Sequence, residues 1–327
     1  MEQMTDKRKM LVIAKPGSAY LELLSEIAGR VDYTVAWSAE DAAALAPEAE
    51  LILTGVGAPG AYAQAAVEKA DKLIWLHSMS AGVDHLSATR LNGSGIPVTN
   101  AKGAFSKSLG EYAVAGMLFF AKDLNRMRES QFAGRWDQFD VEMLEGKTLG
   151  VLGYGDIGKE SAKRAKAFGM RILAMRRRSA SSDPEGIADE VWSLDRKLEL
   201  MAASDYVLLA MPQTPETVGI VGEAELRAMK PTGVILNLGR GNAIRETALI
   251  QALQENWIRG AVLDVFEKEP LPAGHVFYSM KNLLMSAHTA DHTSTWQQDS
   301  MRIFLENFRR FEAGLELLNP VDLSVGY

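Results

Sequence analysis

Three segments in the second half of the chain carry polar side chains directly after short apolar runs. They are Leu236-Asn237-Leu238-Gly239-Arg240-Gly241, Leu263-Asp264-Val265-Phe266-Glu267-Lys268-Glu269-Pro270-Leu271-Pro272 and Met285-Ser286-Ala287-His288-Thr289-Ala290. If the apolar runs are parallel strands, these residues lie at carboxyl ends, where open α/β sheets bind ligands. Their types fit one kind of chemistry. Histidine titrates near neutrality, and a carboxylate beside it raises its pKa, so His288 with Glu267 or Glu269 could deliver or remove a proton. Arginine is the planar, permanently charged partner of a carboxylate, so Arg240 suits a small acid. The chain has five histidines. His292 follows Asp291 in a polar stretch and is expected at a pocket rim or capping the last helix. His275, after Pro272-Ala273-Gly274, is expected in a surface loop.

A second feature supplies the missing half of a redox step. Leu149-Gly150-Val151-Leu152 runs into Gly153-Tyr154-Gly155-Asp156-Ile157-Gly158, with a helix expected over Lys159–Phe168. A G-x-G-x-x-G turn between strand and helix is the dinucleotide pattern. Gly153 permits the tight turn, Gly155 admits a pyrophosphate, and Gly158 allows close helix–strand packing. The helix N-terminus then offers N–H groups and a positive dipole end to phosphate. The next strand, Arg171–Met175, ends in Arg176-Arg177-Arg178-Ser179. An NAD site places an acid there for the ribose hydroxyls, whereas a guanidinium pairs with a 2′-phosphate. The expectation is NADP(H) in preference to NAD(H), with Arg176, Arg177 and Ser179 as contacts.

The elements that must position these residues alternate along the whole chain. Strands are expected at Met10–Ala14, Tyr33–Trp37, Leu51–Val56, Leu73–His77 and Pro97–Asn100. Helix-like stretches separate them around Leu21–Ala28, Glu40–Leu45, Ala61–Lys69 and His85–Leu91. A long helix from about Phe105 to Met127 leads to a second series with strands at Thr148–Gly153, Arg171–Arg176, Tyr206–Met211, Val234–Gly239, Ala261–Val265 and Leu283–Ala287. Another long helix is expected from Ser294 to Phe311. Such alternation builds parallel sheets with helical crossovers, and continuous apolar runs fit strands buried on both faces. Only the second series has a glycine turn, which suggests one domain for substrate and one for cofactor.

Composition excludes several classes. At 327 residues, two domains are expected. A net charge of −7 leaves no electrostatic footprint for nucleic acid. With no cysteine, there is no disulfide, thiolate catalysis or Cys-based metal site, and no metal is expected. Apolar runs fall short of the ~18 residues a membrane span needs. The N-terminus lacks a secretory apolar region, so a cytoplasmic protein with no membrane partner is expected.

The ordered set of motifs resembles the D-isomer-specific 2-hydroxyacid dehydrogenase family. Its pattern is the glycine turn, N-x-G-R-G, D-V-F-x-x-E-P-L-P and then His in an S/T-P-H context. All four occur here in that order, with Ala287 where the family often has proline. Gly82-Val83-Asp84 and Asn100…Gly110-Glu111 extend the likeness over nearly the whole chain. The resemblance implies a Rossmann dinucleotide-binding domain, 104–289, inserted into a flavodoxin-like substrate domain made of 1–103 and 290–327. It implies Arg240 binding the substrate carboxylate, His288 as acid–base, and Glu269, just before Pro270, orienting the imidazole. Ser80, Ala81 and Gly82 would offer N–H groups to the substrate carboxylate, with Met79 lining the pocket or filling the core. Asn100 and Lys102 are weaker candidates. Met211, Pro212 and Thr217 would lie under the adenine, Asp264 would contact the nicotinamide amide, and Ser108, Leu238 and Gly239 would also touch cofactor. The long helix would help form a homodimer, and Trp136 resembles a tryptophan that reaches the neighbouring subunit's active site. The implied activity is reduction of a small 2-keto acid such as glyoxylate or hydroxypyruvate to the D-2-hydroxy acid. A formate dehydrogenase would lack Glu269, and no appended regulatory domain is expected. The alternative is a dinucleotide-sensing scaffold of the same fold, like the transcriptional corepressors, since fold alone does not fix function.

Overall fold

The computed structural model describes residues 7–176 and 183–326. The chain forms two compact units. One comprises residues up to Ala104 and from Thr293 onward; the other is the continuous stretch Phe105–His292. Both are parallel-sheet α/β units.

The first unit holds strands β1 (Arg8–Ile13), β2 (Val31–Ala36), β3 (Leu51–Thr54), β4 (Trp75–Ser78) and β5 (Val98–Asn100), with helices α1 (Ala39–Leu45) and α2 (Gly60–Val67). Every pairing is parallel, and the order is β2-β1-β3-β4-β5, the flavodoxin-like order. All residues of β3 and β4 are buried, as covered parallel strands must be. One face of the sheet packs Ala63, Ala66 and Val67 of α2. The other packs Met301, Phe304 and Phe308 of the C-terminal helix Trp296–Glu312. Trp75 stacks on Phe304 and Phe311, with centroids 5.6 and 5.2 Å away.

The second unit begins with α3 (Ser106–Ala121) and α4 (Leu124–Phe132). It continues through β6 (Thr148–Leu152), α5 (Asp156–Ala167), β7 (Arg171–Met175), β8 (Glu190–Trp192), α6 (Lys197–Ala203) and β9 (Tyr206–Leu209). It ends with α7 (Glu223–Ala228), β10 (Val234–Asn237), α8 (Glu246–Gln254), β11 (Gly260–Leu263) and β12 (Leu283–Met285). The sheet order is β12-β11-β10-β9-β6-β7-β8, again parallel throughout. The chain winds from β6 to β8 on one side, then crosses to β9 and on to β12. The β6/β9 junction is therefore the topological switch point where dinucleotides bind.

The structure departs from the sequence expectation at four places. The helix expected over His85–Leu91 is only a 3-10 turn, Asp84–Leu86. The Ser87 and Thr89 hydroxyls donate to the carbonyls of Asp84 and Leu86, local bonds that compete with helix propagation. The stretch Leu21–Ala28 is also 3-10 in character, over Ala19–Glu26. The long helix from Phe105 breaks at Asp123, which is left-handed at φ 48° and caps α4 by accepting from the Arg126 N–H. Strand β8 was not expected; three residues are too few to display a period. Among the described residues, no helix is long and apolar enough to cross a membrane.

His77 in β4 is fully buried. Trp75 Nε1 donates to Thr99 Oγ1 at 2.9 Å, and Thr99 Oγ1 lies 2.7 Å from His77 Nδ1. Indole can only donate, so Thr99 Oγ1 accepts from Trp75, and it is burial that keeps the imidazole neutral. Burial pulls its pKa down to about 3. Between that value and the unfolded ~6.5, only the unfolded chain binds the proton. Stability should therefore fall as pH drops through this window, by up to ~1.4 kcal/mol per pH unit from this group. Urea unfolding at pH 7 and pH 5 should show a shallower loss in His77→Gln than in wild type; parallel losses would refute the assignment.

Candidate active site

Arg240, Glu269 and His288 follow β10, β11 and β12, three consecutive strands of one parallel sheet. Their loops therefore leave the sheet side by side. Asn237, buried at the end of β10, holds the first loop. Its Nδ2 donates to the Arg240 carbonyl at 2.9 Å, and its Oδ1 accepts from the Gly239 N–H at 3.2 Å. Gly241 is needed for contact with the second loop: a Cβ there would sit 1.9 Å from the Phe266 carbonyl. Arg240 is half-buried, with Nη1 donating to its neighbour's carbonyl, that of Gly239, at 2.9 Å.

Of the two candidate glutamates, Glu269 meets the histidine and Glu267 is exposed. Glu269 Oε2 lies 2.7 Å from His288 Nδ1, and Oε1 accepts from the Phe266 N–H at 2.9 Å. A carboxylate accepts only, so Nδ1 carries the proton and Nε2 is the nitrogen free to exchange one. The Glu269 hydrogen bond raises the pKa of His288, and this outweighs the burial that would lower it. Burial pushes the Glu269 carboxyl up, but the bonds from His288 and Phe266 win and hold it below its usual value. The Arg240 charge acts on both, drawing each pKa down.

Asp264 organises the histidine loop. His288 sits at φ 52°, in the left-handed region that His visits more readily than most residues, and its N–H donates to the Asp264 carbonyl at 2.8 Å. Asp264 is buried. Its Oδ1 accepts from the N–H groups of Thr289 and Ala290 at 2.9 and 3.1 Å and bonds Ser286 Oγ at 2.7 Å. Ser286 Oγ also bonds the Tyr112 hydroxyl of α3 at 2.8 Å, and Ser108 Oγ donates to the Ala290 carbonyl at 2.7 Å. Ser286 and Tyr112 escaped the sequence reading. Only the position of Ser286, two residues before the histidine, could have hinted at its part.

The glycine turn joins β6 to α5. Gly153 has φ 95°, and a Cβ on Gly158 would lie 2.3 Å from the Gly153 carbonyl oxygen. Helix α5 starts at Asp156, followed by Ile157, and no side chain caps it. A Cβ on Gly155 would meet nothing within 4 Å. An uncapped helix N-terminus behind an open, glycine-lined turn fits a pyrophosphate. Tyr154 is buried in the turn, and Arg176 directly follows β7. Arg177 and Ser179 lie outside the described residues. Met211 and Pro212 follow β9, where Thr217 Oγ1 donates to the Pro212 carbonyl at 2.7 Å; Leu238 and Gly239 follow β10.

The loop Ser80–Gly82 belongs to the other unit, just beyond the end of β4. Asn100 Nδ2 donates to the Ala81 carbonyl at 2.7 Å, and Lys102 is exposed. Met79 does not line a pocket. It is 0% exposed and packs in the core with residues of the C-terminal helix. His292 does not cap that helix, whose N-cap is Thr295; it lies 3.7 Å from Asp291. His275 follows the exposed stretch Pro272–Gly274, where its Nε2 sits 3.2 Å from Glu246 and its Nδ1 accepts from the Phe277 N–H.

Comparison with known proteins agrees with this arrangement. The family described as "D-isomer specific 2-hydroxyacid dehydrogenase, NAD binding domain" matches residues 114–290. A glyoxylate reductase of Thermococcus gammatolerans is 33% identical over 256 residues, which are 76% of this chain and 75% of that protein. A crystal structure of a D-isomer specific 2-hydroxyacid dehydrogenase family protein from Aeromonas salmonicida superposes with a TM-score of 0.84 at 31% identity, covering 97% of this chain and 99% of that one. An NADPH-dependent glyoxylate/hydroxypyruvate reductase from Sinorhizobium meliloti, solved with NADP and malonate, gives a TM-score of 0.80 at 26% identity over 98% of each chain. By sequence match, sheet topology and the arrangement of its strand-end residues, this chain belongs to the D-isomer specific 2-hydroxyacid dehydrogenase family.

Proposed function

We propose that this protein reduces a small 2-keto acid, of the glyoxylate or hydroxypyruvate type, to the D-2-hydroxy acid with NADPH preferred over NADH. The observation that carries the chemistry is the 2.7 Å contact between His288 Nδ1 and Glu269 Oε2. The dinucleotide, when bound, supplies the hydride. The chain's own residues do the rest. Arg240 holds the substrate carboxylate and polarises the adjacent carbonyl. His288 delivers the Nε2 proton to the carbonyl oxygen, which becomes the hydroxyl. Glu269 keeps that imidazole oriented and favours its charged form. Asp264, with three donors on Oδ1, would keep Oδ2 for the nicotinamide amide when the dinucleotide is bound.

Kinetics would test the roles. His288→Ala and Arg240→Ala should each lower kcat/KM by at least ~10²-fold, the scale of a lost general acid or charge contact. Reduction needs the protonated imidazole, so kcat/KM should fall as pH rises through a pKa above the ordinary ~6.5. Glu269→Gln should move that inflection to lower pH. Near-wild-type rates, or an inflection unmoved by Glu269→Gln, would remove the assignment. The panel should comprise glyoxylate, hydroxypyruvate, pyruvate and phenylpyruvate. Dinucleotide binding without turnover on any of them would favour the scaffold reading.

The NADPH preference rests on Arg176, which stands where an NAD site has its acid. The NADPH-dependent relative from Sinorhizobium meliloti is in keeping with it. Arg176→Ala should reduce the NADPH-to-NADH ratio of kcat/KM by about tenfold or more, as expected for a lost charge-assisted contact. An unchanged ratio would end this part of the proposal.

A homodimer is also proposed. From the last residue of α4 onward the chain exposes Phe132, Trp136 and Met143, with Trp136 92% exposed. Large apolar side chains grouped in one segment suit burial against a second copy. Light scattering at micromolar concentration should give twice the 35.7 kDa chain mass; a monomer would refute it.

A further inference from the structure

Asp183 stands between β7 and β8 in sequence, and only 2% of its side chain is exposed. Its Oδ2 accepts from the Tyr154 hydroxyl at 2.7 Å and from the N–H groups of Ile187 and Ala188 at 2.9 and 3.0 Å. Its Oδ1 accepts from the Glu185 N–H at 3.3 Å and faces Arg176 Nη2 at 3.8 Å. The guanidinium carbon of Arg176 sits 4.9 Å from the Tyr154 ring centroid. Glu185 pairs with Lys159 of α5, tying the same stretch to the helix behind the glycine turn. Arg176 is thus flanked by a carboxylate and an aromatic ring that are bonded to each other. Its Nε is buried without a hydrogen-bond acceptor among the described residues.

We propose that Asp183 is a positioning residue for cofactor choice: joined to Tyr154, it holds the Arg176 guanidinium beside the glycine turn, ready for the 2′-phosphate of NADPH. This rests on the NADPH preference proposed above. A free arginine samples many rotamers, and freezing them on binding weakens the contact; a guanidinium already held loses less. A carboxylate near a phosphate would ordinarily repel it. Here the charge is taken up by four hydrogen bonds and the facing arginine. Burial would raise the Asp183 pKa, but those bonds bring it to about 2, so the acid stays ionised. The competing role, an acid that accepts from the ribose hydroxyls of NAD, needs an accessible oxygen, and Asp183 is almost wholly covered.

The test compares Asp183→Asn, Tyr154→Phe and Arg176→Ala with wild type, using NADPH and NADH on one keto acid. Binding of adenosine 2′,5′-bisphosphate and of AMP is measured alongside. Asp183→Asn should lower the NADPH-to-NADH ratio of kcat/KM about tenfold, the scale of one hydrogen bond to a charged group. The fall should come through KM for NADPH, and affinity for the bisphosphate should drop more than that for AMP. Tyr154→Phe, which keeps the ring but loses the hydroxyl, should shift the ratio the same way by less, and it decides the matter if Asp183→Asn does not fold. Equal losses with both dinucleotides would make Asp183 merely structural and overturn the inference, as would a raised ratio. A ratio that responds to Arg176→Ala but not to Asp183→Asn would overturn it and leave the NADPH preference standing. A ratio deaf to Arg176→Ala would overturn both.

Discussion

The hydrogen bond between His288 and Glu269 joins residues nineteen apart in sequence, on loops that leave neighbouring parallel strands. A parallel sheet sends every strand's carboxyl end to the same side, so three consecutive loops converge without further instruction. Convergence alone leaves side chains several ångströms adrift. What closes the distance is backbone crowding at Gly241, where any Cβ would strike the Phe266 carbonyl. That contact brings the arginine loop against the glutamate loop. The Phe266 N–H then holds one oxygen of Glu269 and leaves the other for imidazole. Both ends of the pair gain: the histidine is favoured as a cation and the glutamate as an anion.

The histidine needs a second constraint, because its left-handed backbone is unfavourable for a side chain with a Cβ. Asp264 supplies it from below, taking backbone N–H groups from both residues that follow His288 while its own carbonyl takes the histidine's. One buried carboxylate thereby fixes the loop through main-chain bonds. Those bonds are indifferent to the proline that family members often carry at the position of Ala287. This explains why the departure at Ala287 need not disturb the site: loop rigidity comes from Asp264 and Ser286 rather than from a fixed φ.

Much of this was readable in the residues. Continuous apolar runs located the strands, because burial on both sheet faces leaves a strong signal, and their ends pointed to Arg240, His288 and either Glu267 or Glu269; the hydrogen bond to His288 singles out Glu269. The glycine turn was equally plain, since Gly153 and Gly158 answer to local geometry that no other residue satisfies. Three kinds of feature were not readable. Helix breaks set by a single side chain, as at Asp123, leave the apolar pattern intact. Met79 reads the same whether it lines a pocket or fills a core, and only the packing of the C-terminal helix decides. Tyr112 and Ser286 are 174 positions apart and meet through tertiary structure alone.

Asp183 belongs to that last kind and shows why a motif can mislead about electrostatics. In sequence, Arg176 opens a run of three arginines, and charge is all that the run displays. In the fold, the first of them stands between the ring of Tyr154 and a covered carboxylate. Charge sign says which ligand is tolerated; the placement of the charge says how strongly it is preferred. A guanidinium waving in solvent is screened and costs rotamer freedom to recruit, whereas one fixed beside the turn acts at short range on whatever the ribose carries. On the NADPH preference proposed above, selection between two cofactors that differ by one phosphate would rest on a residue with almost no exposed side chain, acting through its neighbours.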